Sequence, residues 1–232
     1  KRVKNLEKEL LSKLDGWLSI TRHDEAVFKS LGSQIPMMVA PAGIDTSRIP
    51  PPSEQISDSL FFIGALDWIP NQEGLKWFID EVWPLLQEKR PQLQVHVAGR
   101  NAPRWVAEMV REANMVFHGE VPDAFSFMRS HGSMIVPLFA GSGMRIKILE
   151  GMAAGIPIIS TPIGAEGIEA RDGQHILIGE TPLEFCEKSL MALKDQGFRK
   201  QIAGAASLLV AEKFDSFAIA KGLAPFYNSL RS

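Results

Sequence analysis

The chain alternates short apolar runs with longer amphipathic stretches, and the pattern becomes regular near residue 60. Beyond that point LFFIGAL (60–66), LQVHVAG (93–99), MVFHG (115–119), SMIVPL (133–138), IPIIST (156–161) and a short segment at 176–178 are almost wholly apolar. Continuous apolar runs predict strands covered on both faces, as in a parallel sheet. The stretches between them carry apolar residues three and four apart. Residues 71–89 place Leu75, Phe78, Ile79, Val82 and Leu86 on one face, which predicts a helix with Asn71 as N-cap after Pro70. Further helices are predicted over 104–113, 123–130, 181–195, 198–213 and 216–230. Strands and helices alternating at this spacing predict an α/β fold, a doubly wound, Rossmann-like parallel sheet.

The first part of the chain is less regular. Residues 1–14 predict a charged amphipathic helix, 17–20 and 37–40 short strands, and 24–31 a helix capped by Thr21 or Asp24. The Pro- and Ser-rich stretch 40–59 reads as an interdomain linker. The expected division is residues 1–45, a linker at 46–59, a main domain at 60–215 and a terminal helix at 216–232. The chain opens in mid-helix at Lys1, so a longer parent protein is expected, and a missing signal peptide says little.

Composition narrows the function classes. Hydrophobic residues make up 45% and charged residues 22%, an ordinary globular balance. A net charge of −2 gives no electrostatic case for nucleic acid. The single cysteine, Cys186, excludes an intramolecular disulfide and a cysteine-built metal site. No apolar run reaches the roughly 20 residues of a membrane span. The expected location is the cytoplasm, or the inner face of a membrane.

In doubly wound folds ligands bind outside the carboxyl ends of the strands. The loops predicted there are 64–72, 99–103, 119–123, 138–145 and 161–167. The stretch SMIVPLFAGSGMRIKILEGMAAGIPIIST (133–161) carries most of the candidate chemistry. Gly141, Ser142 and Gly143 stand just ahead of a predicted helix, where backbone N–H groups can approach an anion. Arg145 and Lys147 follow at the helix start, where the dipole disfavours cations. A bound phosphate or diphosphate would explain them; a tight turn with solvent-facing basic residues is the alternative. Glu150 lies among Leu149, Gly151, Met152 and Ala153. It either pairs with Lys147 one turn earlier or accepts hydroxyl hydrogen bonds from a vicinal diol such as a ribose. Arg100 is a solvated loop residue or a phosphate contact. Trp68 is the tryptophan expected on a crevice loop. His96 reads as structural and His118 as a residue able to face a bound base. The spacing of His23, His131 and His175 suggests no ligand set, so no metal is expected.

Taken together, FIGALDWIPNQEGLKWF, VHVAGRNAP, VFHGEVPD and VPLFAGSGMRIKILEGMAAGIPIISTPIGAEGI resemble glycosyltransferase family 4. More closely, they look like the carboxyl-terminal, nucleotide-sugar-binding half of a GT-B enzyme. The resemblance covers about residues 60–215 and is most specific over 141–155 and at Gly164-Ala165-Glu166-Gly167. Residues 17–45 look like the last elements of the amino-terminal acceptor domain, whose bulk is missing.

The resemblance implies a retaining transfer from a UDP- or GDP-sugar, a nucleotide-diphosphate sugar, to an unknown sugar or glycan acceptor, without a metal or other cofactor. Of the family's two donor-site glutamates, the second falls on Glu150, as ribose ligand. The first falls on Ser142 and is absent. The family's basic pair after the first strand is also absent from the loop that begins at Gly64. Arg145 and Lys147 take its place, in a G-x-G-x-R-x-K-x-L-E variant pattern, and are the implied catalytic residues. Gly64, Asn71, Gly119, Val121, Gly141, Ser142, Gly143, Glu150 and Thr161 are the implied substrate-binding residues, with Gly119 and Val121 beside the base. The fragment alone is expected to be inactive. Two rival readings accompany this one: a non-catalytic binding module, suggested by Ser142, and a nucleotide-sugar epimerase relying on Glu166 and Glu169.

Overall fold

The computed structural model describes residues 2–11, 13–51, 57–141 and 143–230. The chain forms two compact units, one of residues 1–45 and 212–232, the other of residues 46–211. The division differs from the expected one at the carboxyl end. The helix expected to stand alone at 216–232 belongs with the first unit, and the second unit begins at residue 46 rather than after a linker. Residues 52–56 of the expected linker lie outside the described residues.

In the first unit, helix α1 (Arg2–Leu11), strand β1 (Trp17–Ser19), helix α2 (Arg22–Ser30) and strand β2 (Met37–Val39) follow one another. Thr21 caps α2 through a capping box with Asp24. Strands β1 and β2 pair in parallel. Beyond β2, an isolated parallel bridge links Ile44 to Asp215 of the returning chain.

The second unit holds a six-stranded parallel sheet. Its strands are β3 (Ser59–Ile63), β4 (Gln94–Ala98), β5 (Val116–Gly119), β6 (Ser133–Val136), β7 (Ile158–Ser160) and β8 (Leu177–Ile178). Its helices are α3 (Ile69–Trp77), α4 (Trp83–Lys89), α5 (Arg104–Glu112), α6 (Ala124–Ser130), α7 (Ile146–Ala153), α8 (Pro182–Lys194) and α9 (Gln196–Lys213), the last running across the division; α10 (Ser216–Ser229) completes the chain in the first unit. The sheet order is β5-β4-β3-β6-β7-β8. This is the doubly wound α/β sheet expected from the apolar runs. The order reverses between β3 and β6, and such a reversal opens a crevice at the strand ends.

Alternate strand residues supply two faces. Leu60, Phe62, Val95 and Val97 are buried in a core with Leu75, Phe78 and Phe185. Phe78 and Phe185 pack edge to face, 6.0 Å apart. Cys186 is buried in this core, and burial pushes its thiol pKa up.

The predicted helix 71–89 is instead three segments. A π-turn over Phe78–Val82 separates α3 from α4, with the Trp83 N–H bonded to the Phe78 carbonyl. Pro84 causes the break: it has no N–H to donate, and its ring would clash with the carbonyl four residues earlier. The start differs too. Trp68 is the N-cap and Asn71 lies inside the first turn, because Pro70 already occupies the opening of the helix. Among the described residues no helix is long and apolar enough to cross a membrane.

Candidate functional site

A cleft of about 270 Å³ opens between the carboxyl ends of β3 and β6, where the strand order reverses. Ile63, Gly64 and Ala65 form its floor from β3, and Ile135, Val136 and Leu138 from β6. Trp68 and Asn71 of α3 line one side, and Arg145 and Lys147 the other. The chain turns sharply at both strand ends. The Gly64 N–H bonds to the Ala98 carbonyl at 3.2 Å. A side chain at Gly64 would meet Asn71 Nδ2 at 2.8 Å. That amide is needed where it is: it donates to the Ala65 carbonyl at 2.8 Å and pins the loop to α3.

The glycine loop follows β6. Gly141 and Gly143 have φ of +109° and +87°, a region side chains avoid. Ser142 between them lies outside the described residues. Arg145 is the extended N-cap of α7 rather than a member of its first turn, and makes no side-chain cap bond. Its guanidinium folds back over the loop, donating to the Gly143 carbonyl at 2.8 Å and the Gly141 carbonyl at 3.0 Å. The guanidinium carbon also lies 5.7 Å from the centre of the Trp68 ring. Desolvation lowers the pKa of Arg145, and the Glu166 carboxylate opposes that shift. Arginine titrates so high that the group stays cationic at neutral pH.

Lys147 pairs with Glu150 at 2.8 Å across one helical turn. The ion pair weighed against a ligand role is therefore present. Both members remain partly exposed, at 38% and 27% of the side chain. The first helical hydrogen bond of α7 runs from the Ile148 N–H to the Arg145 carbonyl at 2.9 Å, so the N–H groups of Ile146 and Lys147 precede it at the helix start, and a basic pair stands beside them. The arrangement offers a cationic wall and the first two helical N–H groups to a ligand bearing clustered negative charge.

The remaining expected residues are spread further. Thr161 is buried at the end of β7. Its hydroxyl donates to the Leu138 carbonyl and accepts from the Gly164 N–H at 3.1 Å. Both of its hydrogen-bonding roles thus join the 161–164 loop to the β6 end. Gly119 closes β5, two strands from β3, with φ of +68° and its carbonyl accepting from the Gly99 N–H at 2.8 Å. Neither it nor Val121 lines the cleft, and Glu150 reaches it only through Lys147.

Two features escaped the sequence reading. Gly74 sits so close to the turn after β6 that a side chain would fall 1.8 Å from the Pro137 carbonyl oxygen. An isolated glycine within a helical pattern is the signal for such a close approach. His96, His118 and His131 also come together, with ligand-capable atoms all within 4.8 Å. They sit on three separate elements, so no local spacing announces them. Desolvation first, then the neighbouring His131 and His118, lowers the His96 pKa to about 4, and His118 is shifted down as well.

Known proteins place this geometry. Residues 57–195, more than half of the chain, match the family described as Glycosyl transferases group 1. An uncharacterized 44.6 kDa protein in the cps region of Klebsiella pneumoniae is 25% identical over 170 residues, 68% of this chain and 43% of that protein. The lipopolysaccharide core biosynthesis mannosyltransferase LpsB of Rhizobium meliloti is 27% identical over 247 aligned positions, 93% of this chain and 69% of that protein. Among solved structures, a mutant of Staphylococcus aureus TarM, crystallised with Fondaparinux, alpha-GlcNAc-glycerol and UDP, superposes with a TM-score of 0.78 at 14% identity. That superposition covers 100% of this chain and 47% of TarM, so the chain spans less than half of some of the proteins it matches. The six-stranded parallel sheet is that of a GT-B half-domain, and the chain belongs to the group 1 glycosyl transferases.

Proposed function

We propose that this chain is the donor-binding half of a retaining glycosyltransferase that takes a sugar from a UDP- or GDP-sugar and passes it to a sugar or glycan acceptor. The observation that carries the reading is the position of the basic wall. Arg145 and Lys147 flank a cleft at the reversal of strand order, beside the N-terminus of α7. The diphosphate lies against these two side chains and the amides of the glycine loop. Negative charge growing on the departing nucleoside diphosphate is stabilised there by cations and backbone dipoles held in place beforehand. Arg145 keeps its two loop carbonyls while its positive charge faces the cleft. Glu150 exchanges Lys147 for the ribose hydroxyls. Gly119 and Val121 lie toward the base, and Thr161 positions the loop behind the sugar.

The UDP in the TarM crystals and the mannosyltransferase activity of the Rhizobium relative support a nucleotide-sugar donor. The Klebsiella relative's cps region and the lipopolysaccharide role of LpsB support a place in surface polysaccharide synthesis. Acceptor groups come from the remainder of a longer protein, of which residues 17–45 are the end of the amino-terminal half. Alone, this chain binds nucleotide and transfers little or nothing.

Calorimetric titration with UDP, GDP and ADP tests the reading, and failure of all three to bind at millimolar concentration would remove it. Ser142, standing where the family has its first glutamate, favours one rival: a nucleotide-binding module without catalysis. A full-length protein that binds nucleotide yet neither hydrolyses nor transfers from any donor sugar would establish that rival.

A further inference from the structure

The geometry points to a divalent metal site, of the kind that takes zinc, built from His96, His118 and His131. The three side chains come from three elements. His96 lies in the middle of β4, His118 near the end of the edge strand β5, and His131 just beyond α6. A register irregularity where β5 meets β4 sets His118 off the regular pairing, between Phe117 and Gly119. The ring centres of His96 and His131 are 4.2 Å apart, those of His96 and His118 5.3 Å, and those of His118 and His131 5.4 Å.

The nitrogens are arranged for ligation. His96 Nδ1 and His118 Nε2 are 3.1 Å apart, a hydrogen bond in which one ring donates its N–H and the other accepts through its lone pair. Tetrahedral zinc with Zn–N bonds of about 2.0–2.1 Å separates its ligand nitrogens by roughly 3.3 Å. That pair therefore already has the spacing: when a cation binds, the donor ring moves its proton to its other nitrogen, and both rings ligate as neutral imidazoles with no net loss of a proton. The third member is oriented from behind. His131 Nδ1 lies 2.7 Å from the Phe127 carbonyl, an acceptor only, so this nitrogen carries the proton. Nε2 is then the atom with the free lone pair. A ligand histidine whose other N–H donates to a backbone carbonyl is the usual outer-sphere arrangement in metal proteins.

One nitrogen from each of the three rings lies within 4.8 Å of the others, and side-chain rotations that turn His131 Nε2 toward His96 Nδ1 and His118 Nε2 complete a three-nitrogen face. His118 is solvent-exposed, which gives the ion an entry path and water for its fourth position. Imidazole nitrogens suit zinc, copper and nickel rather than magnesium or calcium. The bound ion would fasten the edge strand β5 to β4 and to the end of α6. None of these residues lines the donor cleft, and zinc binding is measured without nucleotide.

The test uses the untagged chain, stripped with a chelator and titrated with zinc by calorimetry, with cobalt absorption as a second probe. One zinc per chain, a melting temperature that rises with zinc, and a cobalt spectrum of tetrahedral intensity are expected. His118→Ala and His131→Ala should each weaken zinc binding at least tenfold, while His23→Ala should not. Circular dichroism confirms that the variants are folded, and the exposed His118 makes that variant safe in this respect. Absence of any zinc effect on the parent chain overturns the proposal. So does unchanged zinc affinity in the folded His118→Ala, His131→Ala double variant.

Discussion

Lys147 Nζ lies 2.8 Å from Glu150 Oε2, one turn apart at the start of α7. Each side chain is partly exposed, so the pair itself is worth only about 0–1 kcal/mol. Little is lost when a ligand separates it. An incoming diphosphate can take the ammonium while ribose hydroxyls take the carboxylate. Lys147→Ala should therefore weaken UDP or GDP binding by about 1–3 kcal/mol, the scale of a charged hydrogen bond, and barely move the melting temperature. Glu150→Gln should weaken the nucleotide but not inorganic diphosphate. Calorimetry of both ligands on both variants reads the split. Equal losses of inorganic diphosphate in the two variants would contradict it.

Arg145 contributes shape as well as charge. Its fork reaches two carbonyls of the glycine loop while its central carbon lies 5.7 Å from the centre of the Trp68 ring. Lysine keeps the charge but presents a single ammonium, which does not match a site that bridges two carbonyls. Arg145→Lys is expected to lose about tenfold in nucleotide affinity, roughly 1.4 kcal/mol. Faster amide exchange over residues 141–143 should accompany the loss. Full affinity in the lysine variant would mean that charge alone is used.

Local patterns made much of this legible in advance. The sheet strands are apolar on both faces, and the glycine loop, basic pair and Glu150 lie within ten residues of one another. What the chain hid was set by distance or by competition. Asn71 looked like a cap, but Pro70 already fills the opening of α3 and shifts the cap to Trp68. Pro84 forces a π-turn where periodicity alone read one continuous helix. The joining of Ile44 to Asp215, and the meeting of His96, His118 and His131, depend on register and on chain return. No window of neighbouring residues contains that information.

Thr161 looks like a ligand contact in sequence and acts as a latch in the structure. Its buried hydroxyl serves the Leu138 carbonyl and the Gly164 N–H. Thr161→Val keeps the shape and leaves both groups unsatisfied, at a cost of about 1–3 kcal/mol. Thr161→Ser, which keeps the hydroxyl, should recover most of that stability. Denaturant unfolding compares the two. Similar midpoints for valine and parent would return Thr161 to a direct ligand role.

Helix α3 brings Asn71, and Trp68 at its cap, to the cleft, and it can do so only because Gly74 lets it lie against the turn after β6. An alanine Cβ there would sit 1.8 Å from the Pro137 carbonyl oxygen, a backbone atom that cannot swing away. Gly74→Ala must push α3 off the sheet or distort the β6 end, and overpacking of this kind costs about 1–3 kcal/mol or more. Gly204 offers the contrast. It is exposed within α9, and an added Cβ meets nothing within 4 Å. Gly204→Ala should stabilise by about 0.5–1 kcal/mol, because alanine loses less backbone freedom on folding. The two variants make the same chemical change with opposite expected signs. Urea unfolding midpoints for both, with nucleotide affinity measured on whatever Gly74→Ala protein stays folded, decide whether the packing of α3 holds the cleft in shape. A Gly74→Ala protein with parental stability and parental affinity would show that it does not.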